Sequence, residues 1–381
     1  MELKQQIHEA FTRHFTGKGT IYASAGRINL IGEHTDYNGG FVFPGAIDKV
    51  IMVEILPNET EKVRIYSIDL NDYTEFGLTE ADAPEASWAR YIFGVCREIL
   101  KRGGIVKGFD AAFAGNVPLG AGLSSSAALE SCFAFALNDL FNDNQIDKFE
   151  LAKIGQSTEH NYCGVNCGIM DQFASVMGQK GKLMRLDCRS MEFEYYSFNP
   201  EDYELVLIDS RVKHELADSP YNKRRQSCER VAARLGIETL RDATMEMLDS
   251  IRTDITAEDY FRAKFVIEEK ERVLAVCEAL NIGDYETVGK NMYATHKGLS
   301  YDYEVSCEEL DYLNDIAKEC GVTGSRIMGG GFGGCTINLV KKSLRGSFIE
   351  TAKRKFNEKY GHEPKVYPVV ISDGAHREKE Q

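Results

Sequence analysis

The sequence predicts an α+β protein built of two domains. At 381 residues the chain is long enough for one large or two ordinary hydrophobic cores. Its first half mixes short apolar runs typical of strands with longer periodic segments typical of helices, and residues 256–318 are mostly helical in pattern. Charged residues make up 27% and hydrophobic residues 43% of the chain, as in ordinary globular proteins. We expect the first domain to end near residues 187–197.

The first half opens with a helix. Leu3, Ile7, Phe11 and Phe15 recur at helical spacing, which predicts an amphipathic helix over residues 2–15. Apolar runs predict strands at residues 21–23, 41–43, 50–55, 62–67, 74–76 and 109–114. Periodic segments predict helices at residues 88–102, 127–140 and 149–162.

The second half continues the same mixture. Strands predicted at residues 183–186, 193–197 and 205–208 suggest a sheet that bridges the two halves. A helix then runs to about residue 235, and the mostly helical region follows it. A strand at residues 336–340, a helix at 343–360 and a strand at 365–371 complete the chain, and residues 377–381 are expected to fray.

One glycine- and serine-rich stretch joins a predicted strand to a predicted helix. It runs from Asn116 to Glu130 and contains Gly120 and Gly122, followed by three serines. Serines favour helix N-termini, whose unpaired N–H groups and dipole attract anions. The alternative is an ordinary turn, but the three serines and the absence of an acid favour phosphate. No lysine follows the glycines as in a Walker loop, so Mg²⁺ and a distant arginine must offset the phosphate charge.

A second stretch, residues 26–40, is dense in polar side chains beside an apolar run. A surface turn is the alternative for its Tyr-Asn-Gly-Gly end. Acceptors and donors held close to a core are, however, what a polyol pocket needs. The potential sugar or phosphate ligands are Arg27, Glu33, His34, Asp36 and Asn38.

A third feature is a single acid among apolar residues. Asp171 follows Gly168 and two apolar residues and precedes another apolar run. An acid in such a place must be paired, capping a helix or catalytic. The N-cap and catalytic interpretations are compatible.

The bulk composition excludes several classes of partner. A net charge of −14 disfavours nucleic acid and anionic membranes. The ten cysteines are scattered, which favours reduced thiols over disulfides or a zinc site. The sequence contains no secretory signal and no run of about 18 apolar residues. We therefore expect a cytoplasmic enzyme with no obligate protein partner.

These stretches carry a resemblance to a known family. Residues 116–130 resemble the second motif of the GHMP small-molecule kinases, and residues 26–40 resemble the galactokinase signature almost residue for residue. The Cys-Gly-Ile-Met-Asp-Gln segment ending at Gln172 and the pattern over residues 211–225 also resemble galactokinases. Residues 324–335 resemble the third GHMP motif, with Met328 where galactokinases usually have threonine.

The resemblance implies a two-domain GHMP kinase fold with the active site in the cleft between the domains. The N-terminal domain, residues 1–195, would resemble the second domain of ribosomal protein S5. The C-terminal domain, residues 196–381, would be ferredoxin-like.

The resemblance also implies roles for individual residues. Asp171 would be the catalytic base and Arg27 the catalytic arginine, which would keep Asp171 ionised. The residues implied to bind the sugar are Glu33, His34, Thr35, Asp36, Gly168 and Tyr221. The residues implied to bind ATP are Gly120, Ala121, Gly122, Leu123, Ser124, Ser125 and Ser126. Ser126 and Glu159 would bind Mg²⁺.

The activity implied is transfer of the ATP γ-phosphoryl group to the C1 hydroxyl of α-D-galactose. Three alternatives stay open at this point. One is N-acetylgalactosamine kinase, which needs room at the sugar's 2-position. Another is a non-catalytic protein that senses galactose and ATP. The third, a GHMP kinase acting on a non-sugar alcohol, is disfavoured by the run from Glu33 to Asp36.

Overall fold

The computed structural model describes residues 2–79, 83–118, 120–212 and 220–379. These residues form three sheets with helices packed against them, an α+β arrangement as the sequence predicts. Residues 213–219, which belong to the motif predicted over residues 211–225, lie outside the described ranges. Within those ranges, no helix has the length and apolar character needed to cross a lipid bilayer.

Among its described residues, the first half contains one large sheet and five α-helices. The helices are α1 (Leu3–His14), α2 (Ser87–Lys101), α3 (Ser125–Phe141), α4 (Lys148–Thr158) and α5 (Met170–Met177). The strands are β1 (Thr20–Asn29), β2 (Phe41–Val42), β3 (Pro44–Pro57), β4 (Lys62–Ser67), β5 (Asp72–Gly77), β6 (Phe109–Gly115), β7 (Lys182–Asp187) and β8 (Phe193–Ser197). A π-helical turn, Glu159–Cys163, continues α4.

The second half contains a four-stranded antiparallel sheet. Its helices are α6 (Pro220–Leu235), α7 (Met245–Ser250), α8 (Ala257–Asn281), α9 (Tyr285–Lys297), α10 (Glu308–Glu319) and α11 (Arg345–Tyr360). Its strands are β9 (Tyr203–Asp209), β10 (Gly324–Ile327), β11 (Cys335–Lys341) and β12 (Lys365–Val369), in the order β10-β11-β9-β12. A last strand, β13 (His376–Arg377), leaves this sheet and pairs with β1.

Two predictions about the strands are wrong. Strands β7 and β8 pair with β2 in a small sheet of their own, whereas β9 pairs with β11 and β12, so among the described residues these three strands do not form the single bridging sheet that was expected. The prediction that residues 377–381 fray is wrong at Arg377, which pairs with Tyr22 of β1, and residues 380–381 lie outside the described ranges. The order of this six-stranded sheet is β13-β1-β3-β6-β4-β5. The chain thus returns to the first half after completing the second. The domain boundary near residue 195 stays a prediction.

The largest hydrophobic core includes residues from both halves. Ile28, Phe113 and Phe133 of the first half belong to the same buried cluster as Val273 and Ile337 of the second. Burial of shared apolar surface makes the relative position of the two halves part of the folded state.

Candidate active site

A cavity of about 270 Å³ gathers most of the predicted functional residues. The predicted residues that line it are Arg27, Glu33, His34, Asp36, Gly120, Gly122, Leu123, Ser124, Ser125, Ser126, Glu159, Gly168, Asp171 and Tyr221. They come from the end of β1, the loops before α3 and α5, the end of α4 and the start of α6. Polar groups that converge on one concave site define the default binding-site hypothesis.

Arg27 reaches the cavity because the strand that carries it is irregular. The pairing of β1 with β3 shifts register between Ala25 and Arg27, and such a bulge changes the direction of the following side chain. The preceding Gly26 lies against the Leu123 carbonyl: an added Cβ would lie only 2.7 Å from that oxygen. Glycine at this position therefore permits the glycine- and serine-rich loop to pack directly on β1.

Asp171 lies in the first turn of α5 and is paired with Arg27. The Arg27 Nε and Nη2 groups donate to Asp171 Oδ1 and Oδ2 at 2.8 and 3.0 Å. Ser124 Oγ donates a third hydrogen bond to Oδ2. The N-cap of α5 is Ile169, so the prediction that Asp171 caps this helix is wrong. A carboxylate has about four acceptor positions, and three of them have protein donors here.

The loop before α3 holds its shape through left-handed backbone conformations. Gly120 and Gly122 have φ angles of 74° and 75°, and Ser124 has φ 57°. Ser124 is the N-cap residue of α3, yet its side chain makes no capping bond and bonds to Asp171 instead. The first N–H groups of α3 therefore gain no partner from the Ser124 side chain, in a position where phosphate oxygens could accept from them. Arg27 Nη1 also donates to the Gly122 carbonyl at 2.5 Å, which joins the loop to the Arg27–Asp171 pair.

Ser126, in the first turn of α3, contacts Glu159 at the end of α4. Ser126 Oγ donates to Glu159 Oε1 at 2.9 Å. Burial raises the pKa of Glu159, and the nearby Asp171 carboxylate adds to the rise. No ion pair of Glu159 with a basic side chain occurs among the described residues, so a cation here would relieve an unbalanced charge. One carboxylate and one hydroxyl fit Mg²⁺, which keeps its remaining positions for water and phosphate oxygens.

Two more acids, Glu33 and Asp36, line the same cavity. Glu33 is 2% exposed, and its Oε1 accepts from Arg326 Nη2 at 3.1 Å and from the Gly329 N–H at 2.8 Å. Burial raises the pKa of Asp36 to about 6, with smaller contributions from the Asp171 and Glu33 carboxylates. Asp36 Oδ2 lies directly against Gly168, where an added Cβ would be 1.8 Å from this oxygen.

His34 is held by two hydrogen bonds to the protein. Its Nε2 lies 3.2 Å from the Gly330 carbonyl and its Nδ1 lies 2.7 Å from the Tyr37 hydroxyl. Since a carbonyl only accepts, Nε2 carries the proton and Nδ1 accepts from Tyr37, which in turn accepts from the Tyr303 hydroxyl at 2.8 Å. Burial lowers the pKa of His34 to about 3, which keeps the ring neutral. Direct contact with a sugar hydroxyl would require one of these bonds to be exchanged.

Comparison with known proteins identifies the family. Residues 90–179 match the GHMP kinases N terminal domain and residues 276–358 match the GHMP kinases C terminal family. Residues 9–57 match the galactokinase galactose-binding signature. A galactokinase of Thermosipho africanus is 41% identical over 92% of this chain and 97% of its own length. The chain belongs to the galactokinase family of the GHMP kinases.

Two further members of the galactokinase family cover almost the whole chain. A galactokinase of Clostridium acetobutylicum is 40% identical over 98% of this chain and 97% of its own length. The crystal structure of Lactococcus lactis galactokinase complexed with galactose matches with a TM-score of 0.93 and 33% identity. That match covers 99% of this chain and 100% of the other. The predicted GHMP kinase fold is thereby confirmed.

Two of the residues that the galactokinase resemblance selected do not line the cavity. The Thr35 hydroxyl donates to the Gly32 and Phe41 carbonyls at 3.0 and 2.5 Å, so this fully buried side chain holds the turn together. Ala121 is also fully buried, inside the phosphate loop. Their contribution is to the shape of the two loops.

The cavity is also lined by residues that were not among the predicted site residues, although Gly329 and Gly330 belong to the predicted third motif. The further lining residues are Pro118, Gly164, Val165, Asn166, Cys167, Met170, Asn222, Gly329 and Gly330. In the sequence, Asn166 lies between Glu159 and Asp171, and Asn222 follows Tyr221. Closeness in sequence to a predicted residue was therefore the signal that could have identified these two as site residues. Met328 is 1% exposed and packs in the core, which leaves the backbone of the third motif to face the site.

Proposed function

We propose that this protein transfers the γ-phosphoryl group of ATP to the C1 hydroxyl of α-D-galactose. The observation that carries the proposal is the Arg27–Asp171 pair, which lines one cavity together with the glycine- and serine-rich loop and the acids Glu33 and Asp36. The galactokinase relatives supply the substrate class, since they cover nearly the whole chain.

Asp171 is the proposed general base. Its carboxylate accepts from Arg27 and Ser124, which fixes both oxygens and leaves about one acceptor position for the attacking hydroxyl. General base assistance of this type contributes about 10²–10⁴-fold to the rate. The Arg27 guanidinium lies at the cavity wall, where it can stabilise charge on the transferred group.

The loop from Gly120 to Ser126 is the proposed phosphate site. Its backbone N–H groups, with those at the N-terminus of α3, would donate to the phosphate oxygens of ATP. Ser126 and Glu159 would hold Mg²⁺, which neutralises charge on the β- and γ-phosphates. The loop carries no lysine, and Arg27 brings a positive charge to it, because Arg27 Nη1 donates to the Gly122 carbonyl.

Glu33, Asp36, Gly168 and Tyr221 are the proposed sugar-binding residues. Two carboxylates that line the cavity can accept from several hydroxyls, which suits a hexose better than a simple alcohol. Positioning of the C1 hydroxyl against both Asp171 and the phosphoryl group would supply much of the acceleration.

The test is a substrate panel. Purified protein is incubated with Mg²⁺-ATP and a set of hexoses that includes galactose and N-acetylgalactosamine, and the new phosphate is located by NMR. Phosphate on C1 of galactose supports the proposal. Phosphate on N-acetylgalactosamine alone, on C6, or on no sugar refutes it.

A variant tests the base. Asp171→Asn should abolish turnover and still bind galactose, as measured by calorimetry. A near-normal kcat for this variant would remove Asp171 from the role of base.

We also propose that the protein works in the cytoplasm. All ten cysteines are free thiols in the structure. Free thiols are typical of a reducing compartment. Fractionation of cells that express the tagged protein would test the assignment.

A further inference from the structure

A fully buried arginine of the second half holds the segment that carries the sugar-side acids. Arg326 lies on β10 and is 0% exposed. Its Nε donates to the Leu30 carbonyl at 2.8 Å, and its Nη2 donates to the Asn29 carbonyl. Its Nη1 donates to the Ile327 carbonyl. Three carbonyls thus hold the planar guanidinium in one orientation.

The charge of Arg326 is balanced by one carboxylate. A buried guanidinium is costly unless it is paired. Among the described residues its ion-pair partner is Glu33, 293 positions away in the chain, at 3.1 Å. The side chain of Glu33 is itself only 3% exposed, so each charge depends on the other.

Glu33 is constrained by a second donor from the same half. The N–H of Gly329 donates to the same oxygen, Oε1, at 2.8 Å. Two donors on Oε1 fix the plane of the carboxylate, and Glu33 lines the cavity. The direction in which Glu33 presents its remaining acceptor positions is therefore set by β10 and the turn after it.

We infer that Arg326 is a positioning residue that fixes Glu33 for recognition of the sugar. The inference rests on the proposed function, because it takes Glu33 as a ligand of a sugar hydroxyl. Arg326 has no place in the cavity wall and acts through Glu33. A lysine keeps the charge but loses the planar fork that reaches several acceptors at once.

The same contacts connect the sugar side to the phosphate loop. The Gly329 N–H donates to Glu33 Oε1, and the Gly330 carbonyl accepts from His34 Nε2. An added Cβ on Gly329 would lie 3.6 Å from the Gly122 carbonyl, so this turn also rests on the phosphate loop. Loss of the Arg326–Glu33 pair should nevertheless act first on the sugar, because the hydrogen bonds and ion pair of Glu33 among the described residues go to Arg326 and Gly329 and not to the loop from Gly120 to Ser126.

The first experiment compares kinetic constants of Arg326→Lys with those of the wild type. We expect the KM for galactose to rise about tenfold or more, and the KM for ATP and kcat to change much less. Arg262→Lys is the matched control, because Arg262 is a buried arginine of the same half that pairs with Glu258 and Glu304. An unchanged galactose KM in Arg326→Lys, or an equal rise in the control, overturns the inference.

A double-mutant cycle separates positioning from general structural damage. Galactose dissociation constants are measured by calorimetry for Glu33→Gln, Arg326→Lys and the double variant. If Arg326 acts through Glu33, the second substitution adds little to the first, whereas additive losses refute the inference. If the lysine variant does not fold, Glu33→Gln/Arg326→Met is compared with Glu33→Gln, since the double variant contains neither charge of the pair. An equal dissociation constant supports the inference and a further tenfold increase refutes it.

The two proposals fail in different ways. A wild-type protein that does not phosphorylate galactose refutes the proposed function. If the wild type phosphorylates galactose and Arg326→Lys leaves the galactose KM unchanged, only the role of Arg326 is refuted.

Discussion

Replacement of Asp36 by asparagine should make the protein more stable and less able to bind its sugar. Burial, together with the Asp171 and Glu33 carboxylates, raises the pKa of Asp36 from 3.8 to about 6 in the folded protein. The folded state therefore holds this proton more tightly than the unfolded chain does. Ionisation of Asp36 costs stability: the cost is absent below about pH 4 and is complete above about pH 6.

The size of the effect follows from the pKa. A rise from 3.8 to about 6 corresponds to ~3 kcal/mol of unfolding free energy lost at pH 7. Asp36→Asn removes that cost, so we expect a gain of up to ~3 kcal/mol at pH 7 and almost none at pH 4. For a chain of 381 residues the gain at pH 7 corresponds to a rise in Tm of about 4 °C. The galactose KM should increase, because an amide replaces a carboxylate acceptor.

The assay is denaturant unfolding of wild type and variant at both pH values, without ligand. Asp315→Asn is the control for loss of one negative charge, because the Asp315 side chain is exposed on α10. A stability difference that is the same at pH 7 and pH 4 would refute the assignment of an ionising Asp36. So would a variant that is less stable than the wild type at pH 7.

Two further substitutions test neighbouring parts of the site. Gly168→Ala places a Cβ 1.8 Å from Asp36 Oδ2, so we expect a loss of about 1–3 kcal/mol in unfolding free energy. The galactose KM should rise, with little change in the ATP KM. Gly346→Ala, whose added Cβ meets nothing within 4 Å, is the control, and an unchanged galactose KM in Gly168→Ala would contradict the geometry. Glu159→Gln should raise the Mg²⁺ concentration for half-maximal activity about tenfold or more, while Glu150→Gln on α4 should not, and equal Mg²⁺ dependence of the two variants would remove Glu159 from the metal site.

Local chemistry was readable from the sequence because it depends on neighbouring residues. A phosphate-binding loop was predicted from Gly120, Gly122 and the three serines. The prediction used backbone freedom and helix capping, which depend on residues only a few positions apart. The periodicity of apolar residues located most of the helices and strands for the same reason. The resemblance then named Arg27 and Asp171, which the structure brings within 2.8 Å of each other.

The strand partners and the partners of the buried polar groups were decided by tertiary structure. Nothing near Arg377 indicates that it returns to pair with β1, and the bridging sheet expected from the strand predictions does not form. Ser124 occupies the N-cap position of α3, but its side chain donates to Asp171, 47 positions away, instead of capping the helix.

The sequence by itself determined which reactive groups this protein carries and the loops that hold them. Only the folded chain decided how those groups are oriented: Glu33 is aimed by Arg326, and the ring of His34 is held by Tyr37 and the Gly330 carbonyl. The physical reason is that short-range rules govern helices, strands and turns. A buried charge or ring must find partners wherever packing puts them, and Glu33 and Arg326 lie 293 positions apart in the chain.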